Sequence, residues 1–261
     1  MGTIENGRDI PLPLAAQRRR NLPASAAFDW LGAGMRDLFH NPLPSLVYGF
    51  AVFLISISIV WGLFRLSLDY ILFPALAGFM VVGPVLAIGL YQKSRDIGTG
   101  EPVSLRRMIF VRAASGGQVW YTGAILCLLM LVWMRAAVII YALFFGLRPF
   151  PGFGDVLTML ISTSEGWAML LVGTAVGGLF AAFSFAISTF AIPMLLDERV
   201  DAFTAMGTSI SMVWNNMPVM LAWGAIVLGL FALSVATGLL GLIVAFPLLG
   251  HATWHSYRAI R

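Results

Sequence analysis

Cysteine, histidine and charge are all scarce in this chain of 261 residues. The one cysteine, Cys127, lies within an apolar run, which excludes an internal disulfide, a C-x-x-C pair and a thiolate metal cluster. Three histidines are too few for the haem and copper ligands, spread over several spans, of a respiratory-oxidase catalytic subunit. Charged residues make up 11% and apolar residues 59%, against about a quarter and about a half in a soluble domain. Glycine-rich phosphate loops, nucleophile elbows and H-E-x-x-H are absent. The polar loops are too short to hold a soluble catalytic domain, and no acidic residue stands in mid-span, which weighs against an ion-coupled pump.

What the chain does have is a series of long apolar runs, each close to the roughly 20 residues that a helix needs to cross about 30 Å of hydrocarbon. The expected fold is all-α, a polytopic membrane protein with six transmembrane helices. The expected spans are 45–64, 70–91, 120–145, 166–196, 218–236 and 239–254, within a membrane domain of residues 26–261. Residues 1–25, with Pro11, Pro13, Pro23 and Arg18-Arg19-Arg20, read as a flexible basic cytoplasmic tail without a signal-peptide core.

Short amphipathic helices punctuate the spans. Phe28, Leu31, Met35 and Leu38 share one face of an interfacial helix that ends at Asn41-Pro42. Leu105, Met108, Ile109 and Arg112 suggest a weaker one, and Phe203, Met206, Ile210 and Val213 a third. Val156 to Ile161 forms a short surface helix on the outer side. With the N-terminus inside, thirteen Lys and Arg fall in inner segments and only Arg65 and Arg148 outside, so both termini face the cytoplasm by the positive-inside rule. That charge serves orientation and anionic lipid, and nucleic acid is not an expected partner.

The last span has an echo. Val81 to Arg95 and Val244 to Arg258 align at Val81/Val244, Pro84/Pro247, Leu86/Leu249 and Arg95/Arg258. Each return span also carries proline, an apolar residue and leucine, at Pro84, Pro193 and Pro247. The expected architecture is three parallel repeats, each an interfacial amphipathic helix followed by a transmembrane hairpin.

W-L-G-A-G-M-R-D-L with N-P-L-P-S-L-V-Y-G, W-M-R-A-A with Y-A-L-F-F-G, and P-L-L-G-H-A-T-W-H-S-Y-R resemble the bacterial integral membrane family named domain of unknown function 2189. The resemblance runs from about Trp30 to Arg258. It implies a multi-pass protein of the bacterial inner membrane and no particular activity.

Few residues invite chemistry. His251 and His255 lie one helical turn apart and can chelate a divalent metal, with His40 and Asp197 or Glu198 as further ligands. Both rings on one face cannot give the opposed axial ligands of a haem. The opposing reading makes the histidines interfacial anchors beside Trp254 and Tyr257, with no cofactor bound. Arg135, within a span, needs to snorkel outward or to pair with Asp69, Asp155 or Glu165. Gly173-x-x-x-Gly177 suits close helix packing. Two functional classes follow: a non-catalytic accessory, assembly or scaffold component that meets lipid and membrane-protein partners, or a small-solute transporter or channel. A metal- or haem-binding role stands third.

Overall fold

The structure, a computed structural model, describes residues 20–146 and 151–261. Most of the basic tail, including Arg18 and Arg19, lies outside the described residues, as do Arg148 and Pro149. Among those described there are twelve α-helices, one 3₁₀ turn and no strand.

The surface helix α1 (Ala26–Phe39) leads into α2 (Pro42–Arg65), which starts with proline in its first turn, where a missing N–H costs nothing. A 3₁₀ turn at Asp69–Ile71 opens α3 (Leu72–Leu86), followed by α4 (Ile88–Thr99) and the short α5 (Leu105–Ile109). Next come α6 (Gly116–Phe145), α7 (Phe153–Ser162), α8 (Ser164–Ser188) and α9 (Ala191–Asp197). The last three are α10 (Ala202–Asn215), α11 (Met217–Ala236) and α12 (Leu242–Ile260). Local chemistry sets several starts: Ser104, Thr163 and Asp201 each accept a backbone N–H in the first turn of α5, α8 and α10.

Five stretches are long and apolar enough to cross a membrane: Pro42–Arg65, Asp69–Thr99, Gly116–Phe145, Ser164–Asp197 and Met217–Ala236. The expected sixth span, α12, is not one of them, because His251, Thr253, His255, Ser256 and Arg258 dilute its second half.

Two return spans differ from their expected form. The second does not end at Tyr91. Pro84 has no N–H to give the Met80 carbonyl, and the helix breaks at Ala87, where the N–H groups of Leu90 and Tyr91 both turn to the Ala87 carbonyl. The Tyr48 hydroxyl donates to the Leu86 carbonyl at 2.7 Å. Beyond the break α4 carries Gln92, Lys93, Ser94 and Asp96 into the interior, where a polar loop was expected. The fourth span likewise breaks at Thr189–Phe190, ahead of Pro193, and its last seven-residue helix is buried almost throughout.

The surface helices bury only part of the expected interfacial faces, with small residues beside them. In α1 the buried stripe is Ala26, Ala27, Trp30, Ala33, Gly34, Asp37 and Leu38, while Phe28, Met35 and Phe39 point outward. In α10 it is Ala202, Ala205, Met206, Ser209, Met212 and Val213, with Phe203 and Ile210 outward. Small side chains let each helix lie close on the bundle, and the large apolar ones are left for an apolar surround.

The centre of the molecule is α12, with thirteen of its 19 residues buried. It packs along α1 and α2 and against α4 and α11. Gly34 of α1 approaches so closely that a Cβ there would lie 2.6 Å from the Ala252 nitrogen, and one on Gly49 of α2 would meet the Ile243 carbonyl. A second group, α3, α6 and α8, is tied by Trp133, whose indole N–H donates to the Pro74 carbonyl at 3.1 Å and whose ring meets Phe180 at 5.6 Å.

Candidate functional site

Folding brings polar residues of α1, α2, α4 and α12 into one buried chain of contacts. His251 has no exposed surface, and both its ring nitrogens are occupied: Nε2 lies 2.9 Å from Ser45 Oγ and Nδ1 lies 2.8 Å from Ser94 Oγ. Lys93, also wholly buried, donates to Ser45 Oγ at 2.8 Å and to the Asn41 carbonyl at 2.9 Å. At the other end Asp37, whose charge the Ser94 hydroxyl favours, lies 2.8 Å from His255 Nε2. The order is therefore Lys93, Ser45, His251, Ser94, Asp37, His255.

Burial opposes ionisation of Asp37, but hydrogen bonds from His255 and Ser94, with the charge of His255, prevail and hold its carboxyl below the usual carboxylate range. No carboxylate lies within ion-pair distance of Lys93 among the described residues. A buried ammonium without a counterion is costly, so its neutral acceptors matter.

Two further networks close the same end of the bundle. Asp96 takes two hydrogen bonds from the Arg107 guanidinium, both at 2.9 Å, and a third from Gln92 at 2.6 Å. Arg95 bonds Gln92 Oε1 at 2.8 Å and the Leu196 carbonyl at 2.6 Å, joining α4 to α9. Arg261 pairs with Asp197 and, at 2.9 Å, with Glu198, while Tyr257 donates to Glu198 at 2.7 Å.

A cavity of about 290 Å³ lies between α3, α8, α11 and α12, walled by Pro84, Phe185, Trp223, Phe231, Phe246 and Leu249 among others. It is mainly apolar. Ser184, Thr189, Ser234 and Thr253 are on its wall, and each donates to the carbonyl four residues back in its own helix.

His251 and His255 do share a face of α12, but serine hydroxyls and Asp37 hold them, and His40 is exposed at the end of α1. Among the described residues no group of three or more His, Cys, Asp and Glu side chains converges as a metal site. Arg135 is exposed on α6 and makes no ion pair with Asp69, Asp155 or Glu165. Of the glycine pair, Gly177 faces Trp133 while Gly173 faces open space.

Sequence reasoning missed Asp37, Ser45, Lys93, Ser94 and Asp96. One signal was present: fifteen of the sixteen basic residues are arginine, and Lys93 is the single lysine.

Residues 72–197, from α3 to the end of α9, match the model of a family described as predicted integral membrane protein, DUF2189. The matched region contains Lys93, Ser94 and Asp96 but not the α1, α2 and α12 partners. No curated protein and no solved structure matches the chain.

Proposed function

Starting from a chain whose residues 72–197 carry the DUF2189 integral membrane family's pattern, we propose that this is a six-span protein of the bacterial inner membrane with both termini in the cytoplasm. In this reading α12 is the sixth span, and the three ionic networks form its cytoplasmic end. The thirteen-to-two distribution of basic residues supports that orientation. The three return spans descend from one repeated unit of surface helix and hairpin, in which α4 and the second half of α12 are counterparts.

Its role is that of a non-catalytic accessory, assembly or scaffold component. The observation that carries this is the low burial of the spanning segments within one chain: 11% of the apolar stretch within Pro42–Arg65, 17% within Gly116–Phe145, 11% within Ser164–Asp197 and 22% within each of the other two. Those faces are covered by lipid or by helices of other membrane proteins, while the polar end is closed by ion pairs. Photo-crosslinkers at the exposed Leu128 and Leu171, activated in intact membranes, test it. A reproducible adduct with one membrane protein supports the role; lipid adducts alone contradict it.

The cavity between α3, α8, α11 and α12 favours a second reading, a small-solute transporter. Solute flux in proteoliposomes that is abolished by Ala181→Phe, which fills the cavity, selects that reading; no flux for any solute class dismisses it.

A further inference from the structure

The hydrogen bonds from Lys93 to His255 have a definite polarity. An ammonium only donates, so Ser45 Oγ accepts from Lys93 and is left to donate its own proton to His251 Nε2. His251 then carries its proton on Nδ1, facing α4. Ser94 accepts from Nδ1–H, which leaves its own proton to turn toward the Asp37 carboxylate whose charge it favours, and that carboxylate meets His255 Nε2 at 2.8 Å. Every link is a hydroxyl, imidazole or carboxylate that can accept a proton on one side and release one on the other. His255 is the member most open to solvent, with about a third of its side chain exposed against a tenth for Asp37.

We propose that His255, Asp37, Ser94, His251 and Ser45 form a proton relay that connects one aqueous face to a buried proton-binding site, the amine of Lys93.

Loading begins with Lys93 neutral. The neutral amine accepts a hydrogen bond from Ser45, and His251 carries its proton on Nε2. Solvent protonates His255 at Nδ1, and the Nε2 proton passes to Asp37. Asp37 passes a proton to Ser94, Ser94 its own to His251 Nδ1, His251 its Nε2 proton to Ser45, and Ser45 its own to Lys93. One proton enters from water, Lys93 becomes an ammonium, Asp37 is again a carboxylate, and His255, left with its proton on Nδ1, returns by exchange with solvent to the Nε2–H form that donates to Asp37. Unloading reverses each step. Arginine cannot serve at position 93, because a guanidinium does not give up its proton in a protein. Among the described lysine and arginine positions, that of the chain's single lysine is the one with no exposed surface.

The titratable groups around the site are Asp37 of α1, Tyr48 of α2, Tyr91 and Asp96 on α4 itself, and His251 and His255 of α12. Asp96 is committed to Arg107, and the two tyrosines do not join the chain of bonds.

Because Lys93 is the only lysine, incorporation of ¹³C,¹⁵N-lysine into the full chain in nanodiscs gives a single side-chain signal set. The measurement is the exchange rate of the Lys93 Nζ protons with water. His255→Gln keeps an amide donor for Asp37 but cannot relay, and should slow exchange about tenfold, the effect of roughly 1.4 kcal/mol on a barrier. Ser94→Ala should do the same, and Ser94→Thr, which restores the hydroxyl, should bring the rate back. Where Ser94→Ala shifts the Lys93 signal away from its native position, His255→Gln decides alone. Exchange at the wild-type rate in His255→Gln overturns the proposal, since protons would then reach Lys93 by another route.

Discussion

Asp37 and His255 meet at 2.8 Å across 218 positions of sequence, joining the surface helix α1 to the last helix of the bundle. Because the Asp37 carboxyl is held below its ordinary range, its contribution to folding is complete above the unfolded value of about 3.9 and is lost as pH falls through the lower folded value. Below about pH 4 the wild-type chain in nanodiscs should lose thermal stability, and Asp37→Asn should show a flatter acid limb. Parallel acid limbs would show that the pairing contributes nothing.

The seat of α1 on α12 depends on the absence of a side chain at Gly34. Gly34→Leu forces atoms against the Ala252 backbone and should cost about 1–3 kcal/mol, the usual range for overpacking. Gly173→Ala, facing open space, should stay within about 0.5 kcal/mol of wild type. Thermal unfolding in detergent compares the two, and equal effects would contradict the packing described.

Tyr48 and Pro84 are coupled through one carbonyl. Tyr48→Phe removes the hydrogen bond to Leu86 and should destabilise by about 1 kcal/mol. In a Pro84→Ala background the helix continues and the Leu86 carbonyl regains a backbone partner, so Tyr48→Phe should then cost much less. A double-mutant cycle measures the difference, and strict additivity would sink the coupling.

Asp96 is buried and Arg107 is its ionic partner. Arg107→Met should lower the melting temperature by leaving the carboxylate unpaired, and the double variant Asp96→Asn, Arg107→Met should recover most of the loss. A double variant less stable than Arg107→Met would show that the pair itself, not the stranded charge, holds α5 to α4.

The spans were legible because solvent imposes length and composition on them: α2, α6 and α11 lie within four residues of their expected bounds. The continuation of α3 into α4 was not, since Gln92-Lys93-Ser94-Arg95-Asp96 has the composition of a loop and lies in the interior only because partners from α2, α5, α9 and α12 satisfy it. The same reason hid the site. His251 was visible as an unexplained histidine, but Ser45 and Ser94 are ordinary residues until folding places them on either side of its ring. In α1 and α10 the apolar residues of the interfacial face were legible, with Phe28 and Phe203 turned outward, but the stripe that packs on the bundle was not, since close packing selects Ala33, Gly34, Ala202 and Ala205.

The topology can be read directly with thiols. Cys127 is replaced by serine, and single cysteines are placed at Ser25, at Leu240 in the turn between α11 and α12, and after Arg261. An impermeant reagent then labels intact cells. Six crossings with an inner polar end predict labelling at position 240 only. Labelling of the cysteine after Arg261 from outside would mean that α12 does not cross, and would contradict the assignment of its ionic end, with Lys93, His251 and Asp37, to the cytoplasmic face.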